Sequence, residues 1–294
     1  MQKIIPHLWF DTEAKEAAAL YTTAITPSAI LSATQLHDTP SGSVDIVSID
    51  LAGYEFQMIS AGPLFKLNPS VSFLVGCASA DEVDAIYAKL ADGGHALMPL
   101  GSYPFSARYG WTMDKYGLSW QVMHMGARPM RQKIVPTQMF VGAVCGRCEE
   151  AVRFYASVFP DSAVGELMAY TKADAPDIPG SVQHVNFTLC GQGFSAMDSN
   201  RGHTFAFNEA ISYIVTCDTQ DEIDYYWDAL SADPSAGQCG WIKDKFGFSW
   251  QIVPASMDAM MADTNKERLA RVTQVMLQMK KLDIAMLQRA YDAG

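Results

Sequence analysis

Gly110-Trp111-Thr112-Met113-Asp114-Lys115-Tyr116-Gly117-Leu118-Ser119-Trp120-Gln121-Val122 returns as Gly240-Trp241-Ile242-Lys243-Asp244-Lys245-Phe246-Gly247-Phe248-Ser249-Trp250-Gln251-Ile252. Eight of the thirteen positions are identical, and most of the others exchange one apolar or aromatic residue for another. Phe65, Asn68, Ser72, Val75, Cys77 and Leu90 recur in the same order as Phe205, Asn208, Ser212, Val215, Cys217 and Leu230. Lys3-Ile4 with Pro6 and Phe10 recurs as Lys133-Ile134 with Pro136 and Phe140. A repeat of this length is a duplicated domain, not a short solenoid unit. It also supplies an internal comparison, since a polar group that one copy lacks cannot serve a chemistry that both copies perform.

Within each copy a strand–helix–strands pattern runs twice. Ile4–Phe10 reads as a strand, and Thr12 is placed to cap a helix over Glu13–Ile25. Strands follow at Ala29–Leu36, Val44–Ala52 and Glu55–Ser60. The pattern restarts with a strand at Val71–Cys77 and a helix capped by Ser79, then three more strands ending at Ser119–Met123. Alternation puts Trp120 and Val122 on the helix side of that last strand and Gln121 on the other. The second copy repeats the scheme with one shortening: Leu90 to Gly110 spans twenty positions, Leu230 to Gly240 only ten. After Pro254 the texture becomes helical, with Leu269, Val272, Val275, Met276, Met279 and Leu282 at helical spacing and Asp283 placed to cap a last helix. The boundaries read as 1–128, 129–254 and a tail, 255–294.

Composition limits the functions. A net charge of −11 gives no general attraction for nucleic acid or anionic lipid. No run reaches the ~20 apolar residues of a membrane span, and the N-terminus lacks the apolar core of a signal peptide. A cytoplasmic protein with free, buried thiols is expected from the six scattered cysteines. Cys145-Gly146-Arg147-Cys148 is a C-x-x-C at an expected helix start, where thiolates are stabilised. A lone pair of this kind, without a counterpart in the first copy, reads as ordinary thiols.

Ile-Pro-His-Leu-Trp-Phe-Asp (5–11), Glu-Ala-Val-Arg-Phe-Tyr-Ala-Ser-Val-Phe-Pro-Asp-Ser (150–162), Phe-Asn-Glu-Ala-Ile-Ser-Tyr (207–213) and the run 239–254 resemble the PhnB-like family. That family also carries the label 3-demethylubiquinone-9 3-methyltransferase. It belongs to the glyoxalase, bleomycin-resistance and extradiol-dioxygenase group, the vicinal-oxygen-chelate superfamily. The resemblance implies an α+β fold of tandem domains, each two βαβββ modules forming an open cup-shaped sheet, here with a helical tail. It also implies that a fused pair is an intramolecular pseudo-dimer. In metal-dependent members the ligands come from the first, fourth, fifth and eighth strands of the cup. Those positions fall near His7, Gln57, Ser70 and Gln121 in the first copy and near Thr137, Ser195, Ala210 and Gln251 in the second. One imidazole among neutral groups is a poor set for zinc, iron or manganese, so no metal is expected. The methyltransferase label is not supported by any strand–Gly-rich loop–helix unit, and no cofactor is expected.

The expected function is binding of a small organic molecule in a cup, with its transformation left open. The expected ligand-facing residues are His7, Trp9, Gln57, Arg108, Trp111, Gln121, His184, Asn186, Trp241 and Gln251. His7 and His184 are the candidates for acid–base work. The longer rim Pro99–Tyr109, with Tyr103, Phe105 and Arg108, favours the first copy as the tighter site. Two alternatives stand beside this: a metal-dependent glyoxalase- or dioxygenase-type enzyme, and a non-catalytic interaction protein. The tail packs on its own domains or forms a dimer arm.

Overall fold

A computed structural model describes residues 2–39, 42–263 and 265–293. Its strands and helices form four modules. The first holds β1 (Ile4–Phe10), α1 (Ala14–Ala24), β2 (Ser28–Thr39), β3 (Gly42–Leu51) and β4 (Tyr54–Ser60). The second holds β5 (Val71–Cys77), α2 (Ala80–Ala91), β6 (His95–Tyr103), β7 (Ser106–Met113) and β8 (Ser119–His124). The third holds β9 (Ile134–Phe140), α3 (Cys148–Val158), β10 (Ala163–Ala169), β11 (Val182–Leu189) and β12 (Gln192–Asp198). The fourth is shorter: β13 (Ile211–Cys217), α4 (Gln220–Leu230), β14 (Trp241–Lys243) and β15 (Ser249–Pro254). The tail follows as α5 (Ser256–Met261), α6 (Lys266–Leu277) and α7 (Ile284–Asp292).

Two modules make each open sheet, but the two come from different copies. One sheet runs β14-β15-β13-β1-β4-β3-β2 and joins modules one and four. The other runs β10-β11-β12-β9-β5-β8-β7-β6 and joins modules two and three. The seams are antiparallel, with His7 opposite Ser212 and Ser72 opposite Thr137. The crossing loops fix the exchange. Asn68 donates its amide to the Ala206 carbonyl at 3.1 Å, and the equivalent Asn208 donates to the Lys66 carbonyl at 2.9 Å. Trp9 and Met139 accordingly donate their backbone N–H groups to the Ala210 and Ser70 carbonyls.

The helices cover the outer faces. Ala17, Ala18 and Tyr21 of α1 and Val83 and Leu90 of α2 are buried in one core shared by both sheets. Ser79 caps α2 as expected, its hydroxyl accepting from the Glu82 N–H. Thr12 does not cap α1. The helix start is met from across the sheet, where the Ser60 hydroxyl accepts from the Ala14 N–H at 3.0 Å. Asp198 does the same for α3, accepting from the Cys148 and Gly146 N–H groups.

Asp114 and Asp244 do more than shape a turn. Asp114 is buried and accepts from the Tyr21 hydroxyl at 2.8 Å, the Trp120 indole at 2.9 Å and the N–H groups of Tyr116 and Leu118. Asp244 repeats the arrangement with Tyr155, Trp250, Phe246 and Phe248.

Module four lacks the counterpart of β6, which leaves the edge beside β14 short. The tail covers it: the Cys239 and Gly240 N–H groups donate to the Met279 and Lys280 carbonyls, both at 2.8 Å. The apolar side of the tail, including Val272, Met279, Leu282 and Leu287, is buried within the chain. Asp283 caps α7 as expected, accepting from Met286. Among the described residues no helix is long and apolar enough to cross a membrane.

Candidate functional site

The concave face of the first sheet is a chamber. Alternation along β1 sends Leu8 and Phe10 into the core and leaves Ile5, His7 and Trp9 facing the cup. Gln57 lies beside His7 on β4, and Gln251 enters from β15, with Trp241 on β14. Met257, Met261, Met276 and Leu282 of the tail roof the space. The chamber measures about 410 Å³. A second chamber of about 480 Å³ shares Trp9, Trp241 and Met276 with it and extends to Phe65 and Ala236.

Five of the ten expected ligand-facing residues therefore meet in one cup: His7, Trp9, Gln57, Trp241 and Gln251. Their rings are arranged edge to face. His7 and Trp241 have centroids 5.5 Å apart, and Trp9 and Phe65 5.1 Å. The Trp9 indole is held by donating to the Gly62 carbonyl at 2.7 Å. Gln251 donates to the Ser212 hydroxyl at 3.0 Å. His7 is 5% exposed and its Nδ1 has no partner. Burial drives its imidazole down from 6.5 to about 3, so the ring is neutral at physiological pH. Among the described residues the Gln57 carboxamide also meets no hydrogen-bond partner.

Gln121, Trp111, His184 and Asn186 lie in the second sheet, apart from His7. There the polar groups satisfy one another. Thr137 and Ser195 share a hydrogen bond of 2.7 Å, Gln121 donates to Ser72 at 2.7 Å, and the Tyr109 hydroxyl donates to Gln121 at 2.8 Å. The Trp111 indole donates to Ser119 at 2.6 Å. His184 is held below its ordinary value by burial.

The rim 99–109 belongs to this second sheet and leans on itself: Tyr103 stacks on Phe105, and both rings pack against Tyr109. Arg108 does not face a cup. It pairs with Asp84 of α2, on the helix side, where it shares strand parity with Gly110. A side chain at Gly110 would strike Tyr87 of that helix at 2.5 Å. Parity alone, counted from Gly110, carried this signal. It also carried Glu55, two residues from Gln57 on β4 and a further wall residue. The tail residues of the roof had no such signal.

The exchange of modules changes the metal question. By strand register the fifth-strand positions are Ser72 and Ser212, not Ser70 and Ala210, so His7, Gln57, Ser212 and Gln251 meet in the first cup and Thr137, Ser195, Ser72 and Gln121 in the second. One imidazole with amides and hydroxyls, several already hydrogen-bonded to one another, does not fit zinc, nickel or iron. The methyl-donor cofactor fits no better, because both sheets are mixed and neither follows its first strand with a glycine-rich phosphate turn. All six cysteines are free. Burial raises the Cys148 thiol, as does the charge of Asp198, and the same causes raise Cys145. Such thiols are unreactive. Cys145→Ser is expected to leave thiol–disulfide exchange at the background rate in an insulin-reduction assay; a parent rate lost in the variant would contradict this.

A family model described as 3-demethylubiquinone-9 3-methyltransferase matches residues 2–123 and again 132–253. Among solved structures, the PhnB protein from Bacillus cereus, which carries the same methyltransferase label, is 38% identical. The match covers 42% of this chain and 99% of that one, with a TM-score of 0.40. A protein from Pseudomonas aeruginosa is 21% identical over 43% of this chain and 99% of its own, with a TM-score of 0.38. A glyoxalase I mutant from Zea mays is 11% identical but spans 86% of this chain and 94% of that one, with a TM-score of 0.53, and so shares the tandem fold. No curated protein matches. With both copies matched by one family model, the chain belongs to the family described as 3-demethylubiquinone-9 3-methyltransferase, in tandem.

Proposed function

We propose that the chain binds one small, partly apolar organic molecule in the roofed cup of the first sheet, without a conventional catalytic metal. The contrast between the cups carries this reading. Thr137 and Ser195 bond each other in the second sheet, whereas at the matching positions of the first the buried Nδ1 of His7 has no partner among the described residues and Gln57 stays free beside the chamber. Buried polar groups normally find partners, and those left over beside a cavity suit a ligand. A neutral His7 serves as a hydrogen-bonding group toward that ligand, with Trp9 and Trp241 as its apolar walls. The burial of the tail's apolar side within the chain supports a pseudo-dimer in one polypeptide rather than a homodimer through those helices. Six free thiols suit a cytoplasmic setting.

The neutral fluorophore N-phenyl-1-naphthylamine tests the reading. One equivalent is expected to bind per chain. Ser48→Trp, which fills the first cup, should abolish binding, while Asn186→Trp, at the equivalent position of the second cup, should leave it intact. Two equivalents, or equal loss from both substitutions, would overturn the assignment.

A further inference from the structure

Two carboxylates of the roofed cup have no counter-charge. Glu55 stands on β4 beside Gln57, and Asp258 hangs from α5 at the edge of the roof; both line the 410 Å³ chamber. No Lys or Arg lines it. Among the described residues neither carboxylate enters an ion pair. Burial raises the Glu55 carboxyl above its usual value, and the charges of Asp258 and Asp50 add to this. Like charges facing one partly dry space oppose each other, and a cation between them relieves both.

The unpartnered Nδ1 of buried His7 marks the same chamber independently as a ligand site. Trp9 and Trp241 form an aromatic corner in it, with centroids 6.5 Å apart at 75°. Aromatic faces attract cations that have shed water. We propose that the chamber takes an organic cation, an amine on an aromatic or aliphatic body, with its ammonium group held by Glu55 and Asp258 and its body against Trp9 and Trp241. The inference rests on the reading of the roofed cup as the binding site. A free carboxylate or phosphate ester is disfavoured, since among the described residues no Lys or Arg of the lining offsets its charge beside Glu55 and Asp258.

Three probes with one body and different charge test it by calorimetry on the full chain: 4-phenylbutylamine, 4-phenylbutanol and 4-phenylbutyrate. The amine is expected to bind about ten- to a hundredfold more tightly than the alcohol, the range of a charge-assisted hydrogen bond, and the carboxylate most weakly. Glu55→Gln combined with Asp258→Asn should remove the amine's advantage over the alcohol. If amine and alcohol bind alike, or the carboxylate binds best, and Ser48→Trp abolishes that binding, the cup stands and the cation inference falls. If no probe binds, or Ser48→Trp changes nothing, the cup reading falls and takes the inference with it.

Discussion

Asp244→Ala is expected to destabilise the protein by about 4 kcal/mol, and Asp114→Ala by a similar amount. Each carboxylate is buried and accepts from two backbone N–H groups, an indole and a phenol. Removing it leaves up to four donors without partners, each costing about 1–3 kcal/mol before the structure relaxes. That is a large part of the about 5–15 kcal/mol that holds a typical domain folded. Asp→Asn keeps one carbonyl acceptor and should lose less. Tyr155→Phe, which removes a single donor, should cost about 1 kcal/mol. Urea unfolding of the four variants gives the ranking, and an alanine variant within about 1 kcal/mol of the parent would show that the carboxylate is not the hub proposed.

The second large effect is a loss of stability in mild acid that depends on His7. Its imidazole titrates near 6.5 when exposed and near 3 in the fold, because burial disfavours the charged ring. The unfolded chain therefore binds a proton that the folded chain refuses. The stabilising contribution is complete above pH 6.5 and is lost progressively as pH falls toward 3. The slope is about 1.4 kcal/mol per pH unit in that window. His184 and His203 are lowered too and act in the same direction, so the quantity to read is the difference between parent and His7→Gln. Between pH 6.5 and pH 5 the parent is expected to lose about 2 kcal/mol more than the variant. Parallel curves would mean that His7 is reached by water or protonated in place.

The repeat and its strand–helix rhythm made the fold class and most elements legible, because periods of 2 and 3.6 are set by the residues themselves. β1 and β5 appear at the bounds read from sequence. The choice of partner module was not legible. All four modules present apolar first strands, and the reciprocal bonds made by Asn68 and Asn208 across the exchange join loops 140 positions apart. The absent strand of module four could be counted from Leu230 to Gly240, but not that Met279 and Lys280 would take its place. Thr12 looked like a cap because local sequence cannot reveal Ser60 arriving from another strand. The role of Asp114 is hidden for the same reason: Tyr21 lies 93 positions upstream.

The exchange of modules also has a consequence for how such a chain can change over generations. In a dimer of identical single copies, every wall residue occurs in both cups, so a mutation that opens one opens the other. Fusion ends that symmetry. His7 and Gln251 come from opposite copies yet face one space, and their repeats, Thr137 and Gln121, face the other. Each cup can therefore drift separately. One is roofed by the tail and leaves the buried His7 Nδ1 without a partner, while its twin bonds Thr137 to Ser195 at the matching positions.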